Sequence, residues 1–100
     1  MSETAQPKFP LGQVVATPGA LAALEATREP ITGFIPRHHR GDWGVMDADD
    51  CKANDDALTD ESRIFSAYLL KDETKIWIIT EAVGDDGKRA STCVLLPEEY

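Results

Sequence analysis

The sequence predicts an α+β fold: an antiparallel three- to four-stranded β-meander with two or three short helices packed on one face. Three observations predict it. Arg63–Leu70, Lys75–Glu81 and Ser91–Leu96 are rich in β-branched, aromatic and aliphatic residues and are separated by short polar stretches. Thr17-Pro18 precedes an alanine-rich segment carrying Leu21 and Leu24, the pattern of a capped helix. Residues 47–58 combine alanine with few β-branched side chains, which predicts a further helix. Helices and an antiparallel sheet then bury one face of each against the other.

Taken in order, residues 1–8 are polar and aperiodic and predict a flexible terminus, leaving residues 9–100 as a single α+β domain. Phe9 to Ala16 mixes Pro10 and Gly12 with Val14 and Val15, which suits a short strand near a sheet edge. Thr17 serves as N-cap with Pro18 in the first helical turn, and that helix runs to about Thr27. Pro30 opens a second helical segment that Gly33 and Pro36 keep short or broken. Gly41 and Gly44 mark a turn around Asp42 and Trp43. The helix from Asp47 has a thin apolar stripe of Cys51, Ala57 and Leu58 with Ala48 and Ala53 at its margins, so most of it faces water.

A two-residue Asp72-Glu73 loop between the first two long strands sets Leu69 opposite Ile76, Ala67 opposite Ile78 and Phe65 opposite Thr80. The core face is then Phe65, Ala67, Leu69, Ile76 and Ile78. The other face carries Tyr68, Trp77 and Ile79, with Tyr68 opposite Trp77, either covered by a helix or left open as an aromatic anchor. Glu73 is a poor residue for the positive φ of such a turn, so a longer loop stays open as an alternative. Gly84-Asp85-Asp86-Gly87 makes the second hairpin connection, and Pro97 with Glu98-Glu99 ends the last strand.

The chain has 100 residues, 42% hydrophobic and 28% charged, a globular balance for one modest core. Ten Lys and Arg against 18 Asp and Glu give a net charge of −8, which repels phosphate backbones and disfavours generic nucleic-acid binding. No apolar run is long enough for a membrane helix, and the start lacks a signal peptide, which predicts a cytoplasmic protein with no membrane partner. Cys51 and Cys93 make no disulfide framework and are expected to be free thiols, Cys93 as a small buried hydrophobe.

Several segments together resemble a known family. They are Phe9-Pro10-Leu11-Gly12-Gln13-Val14-Val15-Ala16-Thr17-Pro18-Gly19-Ala20-Leu21, Arg37-His38, Gly41-Asp42-Trp43-Gly44, Asn54 with Ala57-Leu58, Ser66-Ala67-Tyr68, Thr74 to Ala82, and Leu95 to Tyr100. In these the chain is similar to a small bacterial family of plasmid-related proteins, some named after a type I restriction-system subunit without catalytic motifs to justify the name. The resemblance implies residence on plasmids and other mobile elements and brings no activity with it. The chain departs from the pattern at Pro36, at Glu73 where glycine is usual, and in a longer loop from Val83 to Arg89.

Two clusters are candidates for function. Asp47, Asp49, Asp50, Asp55, Asp56, Asp60 and Glu61 against Lys52 place −6 in fifteen residues. Like charges at helical spacing cost stability unless something uses them, and a row of carboxylates imitates the charge of a nucleic acid. The second cluster is Arg37, His38, His39, Arg40, Asp42 and Trp43, the one basic island in an acidic chain. Histidine beside carboxylate is how general bases are built. With no nucleophile at recognisable spacing and no phosphate cradle, the expected role is instead a helix C-terminus whose cations complement the macrodipole, with Gly41 as cap and Trp43 plugging the core. Adjacent histidines point different ways and the cysteines lack paired spacing, so no metal site is expected. Asp47, Asp49 and Cys51 match the first calcium-loop positions, but Lys52 stands where glycine is required and Leu58 where glutamate is required. No cofactor is implied.

The expected function is a non-enzymatic, acidic binding protein of a mobile element. It would inhibit a host defence nuclease complex, as an anti-CRISPR or anti-restriction DNA mimic, by occluding a basic nucleic-acid-binding surface. The alternative is a plasmid accessory or regulatory module contacting nucleic acid or another subunit through Arg37–Arg40.

Overall fold

A computed structural model describes residues 7–100. The elements are β1 (Gln13–Ala16), α1 (Pro18–Thr27), a 3-10 turn (Ile31–Gly33), α2 (Ile35–His39), α3 (Ala48–Asp60), β2 (Ile64–Leu69), β3 (Lys75–Thr80), β4 (Ser91–Leu95) and a last 3-10 turn (Pro97–Glu99). The class is α+β. Local chemistry sets the helix ends where the sequence placed them. The Thr17 hydroxyl accepts the Ala20 N–H, and the Asp47 carboxylate accepts that of Asp50. At the end of α2 the Gly41 N–H donates to the His38 carbonyl and the Asp42 N–H to that of Arg37, with Gly41 at φ +90°. That is the double cap for which a residue without Cβ is suited. Of the flexible terminus expected over residues 1–8, residues 1–6 lie outside the described residues. Lys8 is tied by its N–H to the His39 carbonyl at 2.9 Å.

The sheet corrects the predicted meander in one respect. Its order is β1-β4-β3-β2; β2, β3 and β4 pair antiparallel, but β1 runs parallel to β4. The chain leaves β1 through α1, and the Thr17 N–H still donates to the Val94 carbonyl at the helix cap. All the helices therefore intervene before β2, and no hairpin links β1 to its neighbour. The C-terminus closes back onto this junction. Glu99 accepts hydrogen bonds from the Thr17 hydroxyl and the Gly19 N–H, placing a carboxylate at the positive end of α1.

The register is also corrected. Glu73 adopts φ +72°, its N–H donates to the Leu70 carbonyl, and the Leu70 N–H donates to Thr74. Three residues rather than two form the loop tip, so Leu69 faces Lys75, Ala67 faces Trp77 and Phe65 faces Ile79. With side chains alternating, that one-residue difference reassigns whole faces. The face beneath α1 and α2 carries Ile64, Ser66 and Tyr68 beside Ile76, Ile78 and Thr80. Ala20, Leu24, Phe34 and Leu70 join this core. Phe65, Trp77 and Ile79 share the opposite face, where Trp77 meets Phe65 at 4.7 Å and Tyr100 at 5.7 Å between centroids. Tyr68 and Trp77 thus lie on opposite faces, and the expected Tyr68/Trp77/Ile79 surface does not exist as one patch. Cys93, expected to be buried, is half-buried on the Trp77 face; both cysteines are free.

A second cluster of Phe9, Trp43, Ala57 and Ile64 joins α3 to the sheet. Here α3 follows the outer edge of β2 rather than lying over a face. Asn54 Nδ2 donates to the Phe65 carbonyl at 2.6 Å and Asn54 Oδ1 accepts the Phe65 N–H at 3.0 Å, so one amide side chain stands in for a neighbouring strand. One pleat along, the Ala67 N–H donates to Trp43 and the Ala67 carbonyl accepts from Val45. Gly44, at φ +78°, sits between them. A Cβ there would fall 1.9 Å from the Ala67 carbonyl oxygen, so only glycine permits this approach. The edge of β2 is closed. Replacing Asn54 with Ala orphans both Phe65 groups and is expected to lower stability by about 2–3 kcal/mol, measured by urea unfolding.

Candidate functional site

The seven carboxylates of the acidic segment are all exposed, but α3 does not present them as one uniform row. Asn54 and Ala57 point inward with Cys51 and Leu58 half-buried beside them. On the opposite side Asp49, Asp56 and Asp60, spaced by seven and four residues, follow the wet face. Several acids also have local work. Asp47 is the N-cap, Asp55 accepts the Trp43 indole N–H at 3.2 Å, Asp56 pairs with Lys52 at 3.1 Å, and Asp60 accepts the Ser62 N–H. Hydrogen bonding from Ser62, its hydroxyl first and its backbone N–H second, holds the Asp60 carboxyl below its ordinary range. Asp49 and Asp50 lie in the first turn, where negative charge complements the helix dipole. The expectation of repulsion without compensation is therefore corrected: part of the acidic run stabilises its own helix. Glu61 ends the helix in a left-handed conformation at φ +67°.

Polar anchors explain how so wet a helix stays attached. Besides Asn54, the buried Arg89 guanidinium donates to the carbonyls of Ala57, Ser62 and Glu81, at 3.2, 2.7 and 3.0 Å. It joins the end of α3 to β3 and places a cation at the helix's negative terminus. Between α3 and β2 a cleft of about 360 Å³ is lined by Met46, Asp50, Ala53, Asn54, Arg63 and Phe65.

The basic island is divided by the fold. The Arg37 Nε donates to Asp42 at 2.8 Å, and its guanidinium lies 4.6 Å from the Tyr68 ring centroid. That bond holds the Asp42 carboxyl below its usual range, against the opposing effect of partial burial. The Asp42 carboxylate thus serves Arg37 and the Gly44 N–H, and the histidine–carboxylate arrangement considered from sequence is not formed. Trp43 is buried, as expected; His39 and Arg40 are half-buried.

His38 is fully buried. Its Nδ1 lies 2.5 Å from Ser66 Oγ and its Nε2 2.8 Å from Thr80 Oγ1; Thr80 meets Thr92 at 2.7 Å, and Thr92 meets the Leu11 carbonyl at 2.7 Å. The carbonyl can only accept, which orients the chain. Thr92 donates to Leu11, Thr80 to Thr92, and the imidazole Nε2–H to Thr80. Nδ1 then accepts from Ser66, so the ring is neutral with its proton on Nε2. Burial, reinforced by neighbouring His39, depresses the His38 pKa to about 3. The cation expected at the end of α2 is therefore absent at His38, whose buried ring nitrogens meet the uncharged Ser66 and Thr80 hydroxyls. Both ring nitrogens are engaged, leaving none to offer a substrate. The same desolvation pushes the Tyr68 phenol, which donates to the Asp42 carbonyl, up to about 12.

Sequence reasoning missed Asn54, Arg89, Ser66, Thr80 and Thr92 as anchors. The signal for Asn54 was its position amid Cys51, Ala57 and Leu58 on the apolar stripe. The three hydroxyls lie one on each of β2, β3 and β4, with Thr80 directly opposite Thr92 and Ser66 two residues along from the position opposite Thr80, a grouping visible only once the register is right. Among the described residues no three His, Cys, Asp or Glu side chains are grouped to hold a metal ion, and no helix is long and apolar enough to cross a membrane. No family model, curated protein or solved structure matches the chain.

Two outcomes are expected. An unfolded histidine titrates near 6.5, whereas folded His38 stays neutral to about pH 3. On acidification through 6.5 the unfolded state alone takes up this proton, so stability falls by about 2 kcal/mol between pH 7 and 5. Urea unfolding across that range measures the loss, and His38→Asn removes this component of the slope. Replacing Arg89 with Met orphans the Ser62 and Glu81 carbonyls, while that of Ala57 keeps the Glu61 N–H, and should cost about 2–3 kcal/mol in the same assay.

Proposed function

We propose that this is a non-enzymatic binding protein that presents the wet face of α3 to a basic, nucleic-acid-binding surface of another protein. The observation that carries the proposal is the placement of Asp49, Asp56 and Asp60 along one exposed helix face, flanked by Asp50 and Asp55, while polar anchors hold the opposite side. A surface that spaces carboxylates on a rigid helix attracts lysine- and arginine-lined grooves, with steering that weakens as salt rises. The partner class is a host defence nuclease complex, and the mode is occlusion, as for anti-CRISPR or anti-restriction inhibitors. The sequence resemblance to plasmid-related proteins supports this choice, and the proposed site of action is the bacterial cytoplasm.

The alternative contact through Arg37–Arg40 has less support, because Arg37 is committed to Asp42 and Tyr68 and His38 is inaccessible. A nuclease-treated lysate pull-down with mass spectrometry is expected to recover a nucleic-acid-handling complex that elutes with salt. Combined Asp49→Asn, Asp50→Asn and Asp56→Asn substitution should abolish recovery while moving the thermal midpoint by only a few degrees, as dipole loss and relieved repulsion oppose each other. Undiminished recovery by that variant rejects α3 as the contact; loss with Arg40→Ala instead favours the island.

A further inference from the structure

The two edges of the sheet are treated differently. The β2 edge is closed by Asn54 and by the Trp43–Val45 segment, whereas β1 ends the sheet on the other side. The Gln13 N–H donates to Ala90 and the Thr17 N–H to Val94, so residues 13, 15 and 17 direct their amides toward β4. By the alternation of a parallel strand, Val14 and Ala16 direct theirs outward. Within β1 there is no charge, no proline and no bulge to guard the edge, and its four-residue length is the one protection it has. Val14 is 42% exposed on one face and Val15 41% on the other.

We propose that β1 is a self-association edge. A second copy of this chain adds its β1 antiparallel, about a two-fold axis at Val15, to make one continuous eight-stranded sheet. Val14 of one copy then pairs with Ala16 of the other, and the two Val15 side chains meet beside Cys93. Charge selects this occupant. The acidic segment at α3 carries −6 of the net −8 and lies on the β2 side, leaving −2 for everything else. Strands about 4.8 Å apart put β2 about 14 Å from β1, beyond a Debye length of about 8 Å. Joining neutral β1 edges therefore keeps the two acidic helices at opposite ends of the assembly. A partner recognised by charge would find none on Gln13-Val14-Val15-Ala16, whereas an identical strand satisfies each outward N–H and C=O by symmetry. The assembly is independent of what α3 binds, and it would present α3 twice.

Sedimentation equilibrium of the full chain over a wide concentration range tests this. The wild type is expected to reach the mass of two chains, with little sensitivity to salt. Val14→Pro deletes only an outward N–H and preserves pairing with β4, so it should fold normally and weaken association by about a hundredfold, for two lost hydrogen bonds per dimer. Val15→Lys, which sets like charges opposite each other, should weaken it similarly while keeping the far-UV circular dichroism of the wild type. The combined α3 asparagine variant should still dimerise. A wild type that stays at single-chain mass at the highest concentration, or a folded Val14→Pro variant that associates as tightly as the wild type, overturns the proposal.

Discussion

The hydrogen-bond chain from Ser66 through His38, Thr80 and Thr92 to the Leu11 carbonyl spans the helix-side face of the sheet, and the rest of the structure is arranged around it. One imidazole from α2 joins β2 to β3, and the two threonines continue the link to β4 and to the segment leading into β1. Every proton in the chain is committed in one direction, so each member requires all the others. Among the described residues, no buried side-chain nitrogen or oxygen lacks a partner. That completeness matters because an unmet polar group in dry surroundings costs more than a formed hydrogen bond contributes. Phe9 and Trp43 supply the dry surroundings, with ring centroids 5.1 and 6.0 Å from that of His38.

Attachment of α3 follows a different logic. A helix with so thin an apolar stripe cannot hold its place by burial alone. Asn54 binds the β2 backbone, Arg89 gathers carbonyls at the helix end, and Asp55 accepts the buried Trp43 indole N–H. These contacts use little of the helix surface. The remainder is free to carry charge, and the scaffold keeps that charge away from the opposite sheet edge.

Much of the fold was legible because its signals are local. Thr17 and Gly41 start and stop helices with groups a few residues away, and the strand segments announce themselves by composition. The loop at Glu73 was not legible: a glutamate adopted the left-handed conformation expected of glycine, and one extra loop residue exchanged the partners on both faces. For the candidate site, the acidic segment and its helix were readable, but the internal tasks of Asp47, Asp55 and Asp60 were not. The basic island was readable as a cluster. Its division among Asp42, Tyr68 and a buried chain of hydroxyls depended on strands that lie 28 to 42 residues away from His38.

By itself, then, the sequence determined the class, the element positions, the acidic balance and its concentration in residues 47–61. Each of these follows from composition, periodicity or contacts within one turn of chain. Only the tertiary structure decided that β1 runs parallel to β4, that His38 is a neutral internal tie, and that Asn54 closes one edge of the sheet while β1, among the described residues, forms the other. These depend on groups distant in sequence meeting at hydrogen-bond distance. Whether a polar side chain becomes an anchor or a surface group is set by which partner the folded chain brings to it.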